Sequence, residues 1–239
     1  MLLGSSDPGT SYDGVVIGAG PAGLSLALEY AAGARRVLVL ESGDEGAPRS
    51  ELANAIGYGH FSDHYWNRHS IRELGGTSKV WSGWVTTPRE IDFDNPATGW
   101  TWPIRRTDLL PYYERATRVL DRDRSIVLHE TPVWPGFVYR PYSRQPPIRF
   151  AEKYLDTLKA STTVDVAAGC TALGLDANGA RSAVTALRYW HHASGTIKTL
   201  SIAPTQFVVL AMGGVGTPQF LLQPRADGAA PVGTESGHV

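Results

Sequence analysis

An α/β fold with a parallel sheet is what this sequence predicts, and three observations carry it. Asp13-Gly14-Val15-Val16-Ile17 and Arg36-Val37-Leu38-Val39-Leu40-Glu41 are short apolar runs of the kind found in buried parallel strands. Between them the glycine-rich turn Gly18-Ala19-Gly20-Pro21-Ala22-Gly23 opens a Leu- and Ala-rich stretch, Leu24 to Ala32, that suits a helix. A third apolar run, Phe207-Val208-Val209-Leu210, reads as another buried parallel strand. Strand, turn, helix and strand within about 30 residues make a βαβ unit, whose crossover is right-handed.

The other elements follow in order. Residues 1–11 read as a loose tail, and Gly33 as the stop of the first helix. Residues 42–70 carry no clear period and read as an excursion over the surface or a ligand. Residues 71–100 hold a Gly-rich turn and three tryptophans. Thr107 is expected to cap a helix running to about Asp121, with Leu109, Tyr113, Thr117 and Leu120 on one face and Pro111 in the first turn. The proline-rich stretch from Pro132 to Pro147 reads as irregular, and Ala151 to Ser161 as a helix. From Thr163 the period changes to that of strands. Asn178-Gly179 is a hairpin signal between 171–176 and 181–190, and Ser194-Gly195 a second turn, which together predict a three-stranded meander. Thr217-Pro218 is expected to open a short helix. Beyond Arg225 the residues are Gly-, Ala- and Pro-rich, with no core pattern.

Composition narrows the function classes. The 239 residues are 42% hydrophobic and 19% charged, which is the make-up of a folded rather than a disordered chain. This length holds one large domain or a domain and a half. A net charge of −1 gives no electrostatic footprint for nucleic acid or an anionic membrane. No apolar run reaches transmembrane length. The opening Met1-Leu2-Leu3-Gly4-Ser5-Ser6-Asp7 lacks the basic and apolar regions of a secretory signal. A cytoplasmic protein with a small-molecule partner, no nucleic acid and no membrane is expected. A single cysteine, Cys170, excludes an internal disulfide and a Cys-based metal cluster.

The glycine turn carries the chemistry. Gly18 lets the strand turn sharply, Gly20 lets a pyrophosphate approach the backbone, and Gly23 lets the helix pack close to the sheet. The helix N-terminus, opened by Pro21, which itself has no N–H, then offers N–H groups from Ala22 onward and a positive dipole end to phosphates. Glu41 ends the second strand, 23 residues after Gly18. A carboxylate there accepts hydrogen bonds from ribose hydroxyls and repels a 2′-phosphate, which argues against NADP. A glycine turn without a ligand is disfavoured, because strand, helix, second strand and acid are all in place. The fingerprint alone leaves FAD and NAD open.

Four stretches together carry a resemblance: Tyr12 to Gly23 with Leu40-Glu41-Ser42-Gly43; Glu73-Leu74-Gly75-Gly76-Thr77-Ser78-Lys79-Val80-Trp81-Ser82-Gly83; Asp92-Phe93 with Trp102-Pro103-Ile104 and Leu110-Pro111-Tyr112-Tyr113; and Val208 to Pro218. In this order, over residues 12–223, they resemble the glucose–methanol–choline (GMC) flavin oxidoreductases. Trp81 and Trp102-Pro103 look more like the sugar-oxidising branch. The resemblance implies an α/β fold in which an FAD-binding Rossmann-like domain carries an inserted β-meander and the beginning of an α+β substrate domain, the C-terminal portion of the family fold being absent. It divides the chain into a first part of the FAD-binding domain (1–83), a partial substrate domain with connecting helices (84–160), a second FAD-binding part (161–223) and an irregular tail (224–239).

By the same resemblance, Gly18, Gly20, Pro21, Ala22, Gly23, Glu41, Ser42, Arg72, Gly75, Gly76, Thr77, Ser78, Trp81, Gly83, Cys170, Ala211 and Gly213 lie along FAD. The Gly75-Gly76-Thr77-Ser78 turn has a physical rationale as well: two glycines let backbone pass close to a flat ligand, and N–H and hydroxyl groups can bind its oxygens, an ordinary tight turn being the alternative. Cys170 is expected to meet the adenine through its backbone and otherwise to be a small buried residue rather than a nucleophile. Val80 stands where some sugar oxidases of the family attach flavin through histidine, so the FAD is expected to be non-covalent. Gly214 replaces a usual Ala, and Gln223-Pro224-Arg225 a usual Ser-Gly pair, which departs from the family at the terminal helix.

The implied activity is oxidation of CH–OH groups of alcohols or sugars, with hydride passing to flavin. No catalytic residue is assigned: the family's His–His or His–Asn pair is expected beyond residue 239, so this chain alone is expected to show little turnover. His191-His192 do not replace that pair, because adjacent residues of a strand point to opposite faces. His60, His64 and His69 lack the local pattern of a metal site, and none is expected. Two other readings stay open: a non-catalytic FAD-binding remnant or a subunit completed by another chain, and an NAD-linked dehydrogenase.

Overall fold

The computed structural model describes residues 2–3, 8–9, 11–44, 71–180 and 182–222. The histidines at 60, 64 and 69 and the tail beyond Leu222 lie outside them. The chain divides into two compact units, Met1–Val80 with Arg149–Val239, and Trp81–Ile148.

Unit 1 holds the predicted parallel sheet. Strand β1 (Gly14–Ile17), helix α1 (Pro21–Ala32) and strand β2 (Val37–Leu40) form the βαβ unit. Helix α2 (Phe150–Ala160) leads into β3 (Val164–Ala167). Strands β4 (Cys170–Ala177), β5 (Val184–His191) and β6 (Thr196–Ser201) form an antiparallel meander. The chain returns through β7 (Phe207–Leu210) and ends its described part in α3 (Gly213–Leu222). The four-stranded sheet has the order β7-β1-β2-β3, all parallel, with Val15 opposite both Leu38 and Val208. Strands β1 to β3 are wholly buried: β1 and β2 as their unbroken apolar character demands, and β3 with Asp165 among its apolar residues.

The meander covers part of this sheet. Along β5, Leu187, Tyr189 and His191 are buried in alternation, and Leu187 and Tyr189 join Leu38, Leu40, Cys170 and Leu200 in one apolar core. Away from the strand ends that face the site, the Tyr12 hydroxyl donates to Asp165 at 2.8 Å while Arg36 reaches the same carboxylate and stacks on the Tyr12 ring. Burial beside that carboxylate pushes the Tyr12 hydroxyl up to about 12.

Several expectations are corrected. Leu2 and Leu3 are tied to the sheet rather than loose: Leu3 N–H donates to Val166 O at 2.9 Å, and Leu2 bridges Val166 in parallel. Residues 164–167, expected only to be strand-like, pair with β2 in the parallel sheet. The hairpin after Ala177 is not a two-residue turn. The Asn178 side chain accepts N–H groups of Ser182 and Ala183, which holds a longer loop. Gly33 does end α1, but the left-handed residue is Ala34, at φ 59°. Helix α3 begins at Gly213, ahead of Thr217-Pro218.

In unit 2 the helix spans Arg106–Val119, and its entry is made by Asp108 accepting the Arg105 N–H at 2.8 Å. The expected cap at Thr107 therefore lies inside the helix, and Pro111 falls in its second turn. The proline-rich stretch is not wholly irregular: Thr131–Trp134 pairs with Phe137–Tyr139 across Gly136, whose φ is 79°. No described helix is long and apolar enough to cross a membrane.

Candidate functional site

The carboxyl ends of β1, β2, β3 and β7 converge, and open α/β sheets bind ligands at such strand ends. Backbone bonds knit the loops that follow. Gly18 N–H donates to Leu40 O at 2.7 Å, Glu41 N–H to Ala167 O at 3.0 Å, Cys170 N–H to Glu41 O at 2.8 Å, and Ala211 N–H to Ile17 O at 2.8 Å.

The glycines divide by what surrounds them. A Cβ at Gly23 would collide with the Gly18 carbonyl, so this glycine seats the helix on the strand. Gly18 sits at φ 103°, and a Cβ there would lie 2.6 Å from Ala211 O. Gly20 is different: among the described residues nothing stands within 4 Å of where its side chain would be. That open space lies at the N-terminus of α1, which has no side-chain cap and no acid in its first turn, with Pro21 leading it. The N–H groups of Ala22 and Gly23 thus face an uncapped helix end of positive dipole. Gly213, at φ 81°, and Gly214 are likewise open at the N-terminus of α3.

Glu41 is buried, with both carboxylate oxygens engaged: Oε2 accepts Ala19 N–H and Oε1 accepts Gly43 N–H, each at 2.8 Å. It therefore braces the glycine loop against its own loop. Each oxygen keeps a further lone pair for a hydroxyl donor. Burial pushes the carboxyl up to about 7, against the bonds from Gly43 and Ala19 and the nearby Arg72 charge. Arg72 in turn is lowered by burial, while Glu41 opposes the shift. Ser42 is half-buried beside them. Gly43, quoted in the stretch that carries the resemblance but given no role there, has no room for a side chain, because a Cβ would collide with the Arg72 carbonyl. A glycine two residues after the acid was the available signal.

The turn at 75–78 docks onto the glycine loop. Gly75 N–H donates to Ala19 O at 2.8 Å, and a Cβ on Gly76 would lie 2.9 Å from Gly20 Cα. Gly75 and Gly76 both have positive φ, 88° and 53°. Thr77 is exposed. Ser78 is buried and its hydroxyl is used internally, donating to Gly75 O at 2.6 Å and accepting Phe150 N–H at 3.0 Å, so it holds the entry of α2.

Cys170 is a buried cysteine in no disulfide at the start of β4, opposite His191. His191 is buried, with Nδ1 2.8 Å from Ser194 Oγ; His192 Nε2 lies 3.0 Å from Thr171 Oγ1. Among the described residues no group of three or more His, Cys, Asp or Glu could hold a metal ion.

Trp81 and Gly83 belong to unit 2. There Trp81 Nε1 donates to Ile148 O at 2.8 Å, and Arg122 donates from Nη2 to Gly83 O at 2.8 Å while lying over the Trp81 ring.

Fold and site together define a dinucleotide-binding α/β protein. A family model, DAO, FAD dependent oxidoreductase, matches residues 13–239, and the chain belongs to that family. No curated protein matches the sequence. Among solved structures, a fungal aryl-alcohol oxidase is similar in fold, with 15% identity and a TM-score of 0.51 over 88% of this chain. The chain spans 47% of that structure's length. FAD is the cofactor of the matched family. The residues present fit it: the open space over Gly20, the uncapped helix end and the spare lone pairs of Glu41 match a pyrophosphate and a ribose.

Proposed function

We propose that the chain is the FAD-holding part of a GMC-type oxidoreductase that oxidises CH–OH groups of alcohols or sugars. The observation that carries the reading is the docking of the Gly75-Gly76 turn on the glycine loop, through Gly75 N–H to Ala19 O. That contact joins two motifs 50 or more residues apart into one binding edge, in the order the GMC resemblance requires. The fold likeness to a structure described as an aryl-alcohol oxidase supports the same substrate class.

In this reading α1 donates Ala22 and Gly23 N–H to the pyrophosphate, Glu41 accepts the ribose hydroxyls, and Arg72 offsets the Glu41 charge. Bound FAD supplies a hydride acceptor. Thr77, exposed on the turn, offers a further hydroxyl. Val80 has no nucleophilic atom, so attachment is non-covalent. Among the described residues we assign no general base. The domain boundaries at 83, 160 and 223 and the roles of Trp81 and Gly83 along the flavin belong to this proposal.

Fluorescence titration of the purified chain with FAD and with NAD tests it. FAD is expected to bind in preference, and to be released into the supernatant on acid precipitation. Tight NAD binding without FAD binding would sink the reading, and a washed pellet that stays yellow would overturn the non-covalent part.

A further inference from the structure

Glu73 is a buried acid for which the site has no stated use. Its backbone lies at the junction of both binding loops. A Cβ on Gly43 would lie 2.6 Å from Glu73 Cα, and Glu73 O accepts Gly76 N–H at 2.7 Å. Its carboxylate is 3% exposed, with Oε1 paired to Lys79 Nζ and Oε2 buried with no hydrogen-bond partner among the described residues. Lys79, six residues on, is half-exposed at 45%. The ion pair therefore spans both ends of the turn that contains the two left-handed glycines. Consecutive glycines of positive φ have many alternative conformations, so a turn built on them holds one shape only if its ends are tied.

We propose that Glu73 and Lys79 are positioning residues that preset the Gly75–Ser78 turn for FAD; this rests on the FAD-site reading above. The two partners are not equivalent. Removing Lys79 strands a carboxylate that is buried and already has one oxygen without a donor. Removing the Glu73 charge leaves a lysine that water can solvate. Loss of the lysine should therefore do more damage than loss of the acid, and removing both charges should recover part of the loss.

The test is FAD affinity and melting temperature of Lys79→Met, Glu73→Gln, the double variant and Lys79→Arg. Expected are a tenfold or greater weakening for Lys79→Met, a smaller one for Glu73→Gln, a double variant closer to Glu73→Gln than to Lys79→Met, and near-normal affinity for Lys79→Arg. If Lys79→Met does not fold, the remaining three variants carry the test. Wild-type affinity in both Glu73→Gln and the double variant, or a Lys79→Arg loss as large as that of Lys79→Met, overturns the proposal. So does a loss in each variant that merely follows its fall in melting temperature. A wild-type chain that binds no FAD fails the underlying reading instead, and is recognised before any variant is made.

Discussion

At the scale of single residues, the glycines of one motif have opposite physical roles, and mutation should separate them. Gly20 has an ordinary φ of −77° and empty space where a side chain would go, so Gly20→Ala should leave thermal stability nearly unchanged. The added methyl would occupy the approach to the pyrophosphate, and FAD binding should weaken by tenfold or more. Gly23→Ala would push its methyl into the Gly18 carbonyl and should destabilise the chain by about 1–3 kcal/mol, as overpacking does. Calorimetry beside FAD titration checks both, and equal behaviour of the two variants would contradict the division. Glu41 adds a pH signature. Its folded carboxyl stands at about 7, above the ordinary 4.5, so its contribution to stability is fully present below about pH 4.5 and is lost as pH rises to about 7. Ribose hydroxyls favour the ionised form, so FAD binding should release a proton. Affinity should then climb with pH, by at most about tenfold per unit, and level off above pH 7. Glu41→Gln should flatten the profile; a wild-type profile that is already flat argues against a ribose contact. The glycine pattern and its acid were legible in the sequence because local spacing sets them. The brace from Glu41 to Ala19 and the use of Ser78 by Phe150 were not, because their partners lie 22 and 72 residues away.

At the scale of elements, unbroken apolar runs gave the parallel strands and alternation gave the meander, because burial on two faces or on one writes those patterns directly. The boundaries were less legible. A helix start depends on which carboxylate reaches back, as Asp108 does to Arg105, and a hairpin on whether a side chain such as Asn178 closes the loop. The strand Val164–Ala167 alternates in polarity yet is buried throughout, since Asp165 is satisfied by Tyr12 and Arg36. The meander packing gives a stability test. Leu187 is fully buried between meander and sheet, so Leu187→Ala should cost about 2–5 kcal/mol in urea unfolding. Ile197, 60% exposed on β6, should tolerate Thr within about 0.5 kcal/mol. Similar losses at both positions would mean that the meander face is assigned wrongly.

At the scale of the whole molecule, slow turnover is expected in the proposed reading, because no general base is assigned among the described residues. Oxidation of a CH–OH group needs a positioned base, which contributes about 10²–10⁴-fold in rate. The histidines that invite that role are held elsewhere: His191 is buried with its Nδ1 at Ser194, and His192 bonds Thr171 on the meander. They sit beside Cys170, whose N–H is bound to Glu41 O, and so at the Glu41 end of the site. In the proposed reading that is the ribose end of the cofactor rather than its flavin. The chain loaded with FAD should therefore be reduced slowly or not at all by glucose, other aldoses and simple alcohols. Anaerobic mixing, followed by loss of flavin absorbance, measures this. Rapid bleaching abolished by His191→Ala or His192→Ala would place the base on the meander after all. Rapid bleaching that survives both changes would show that another residue of this chain takes the proton.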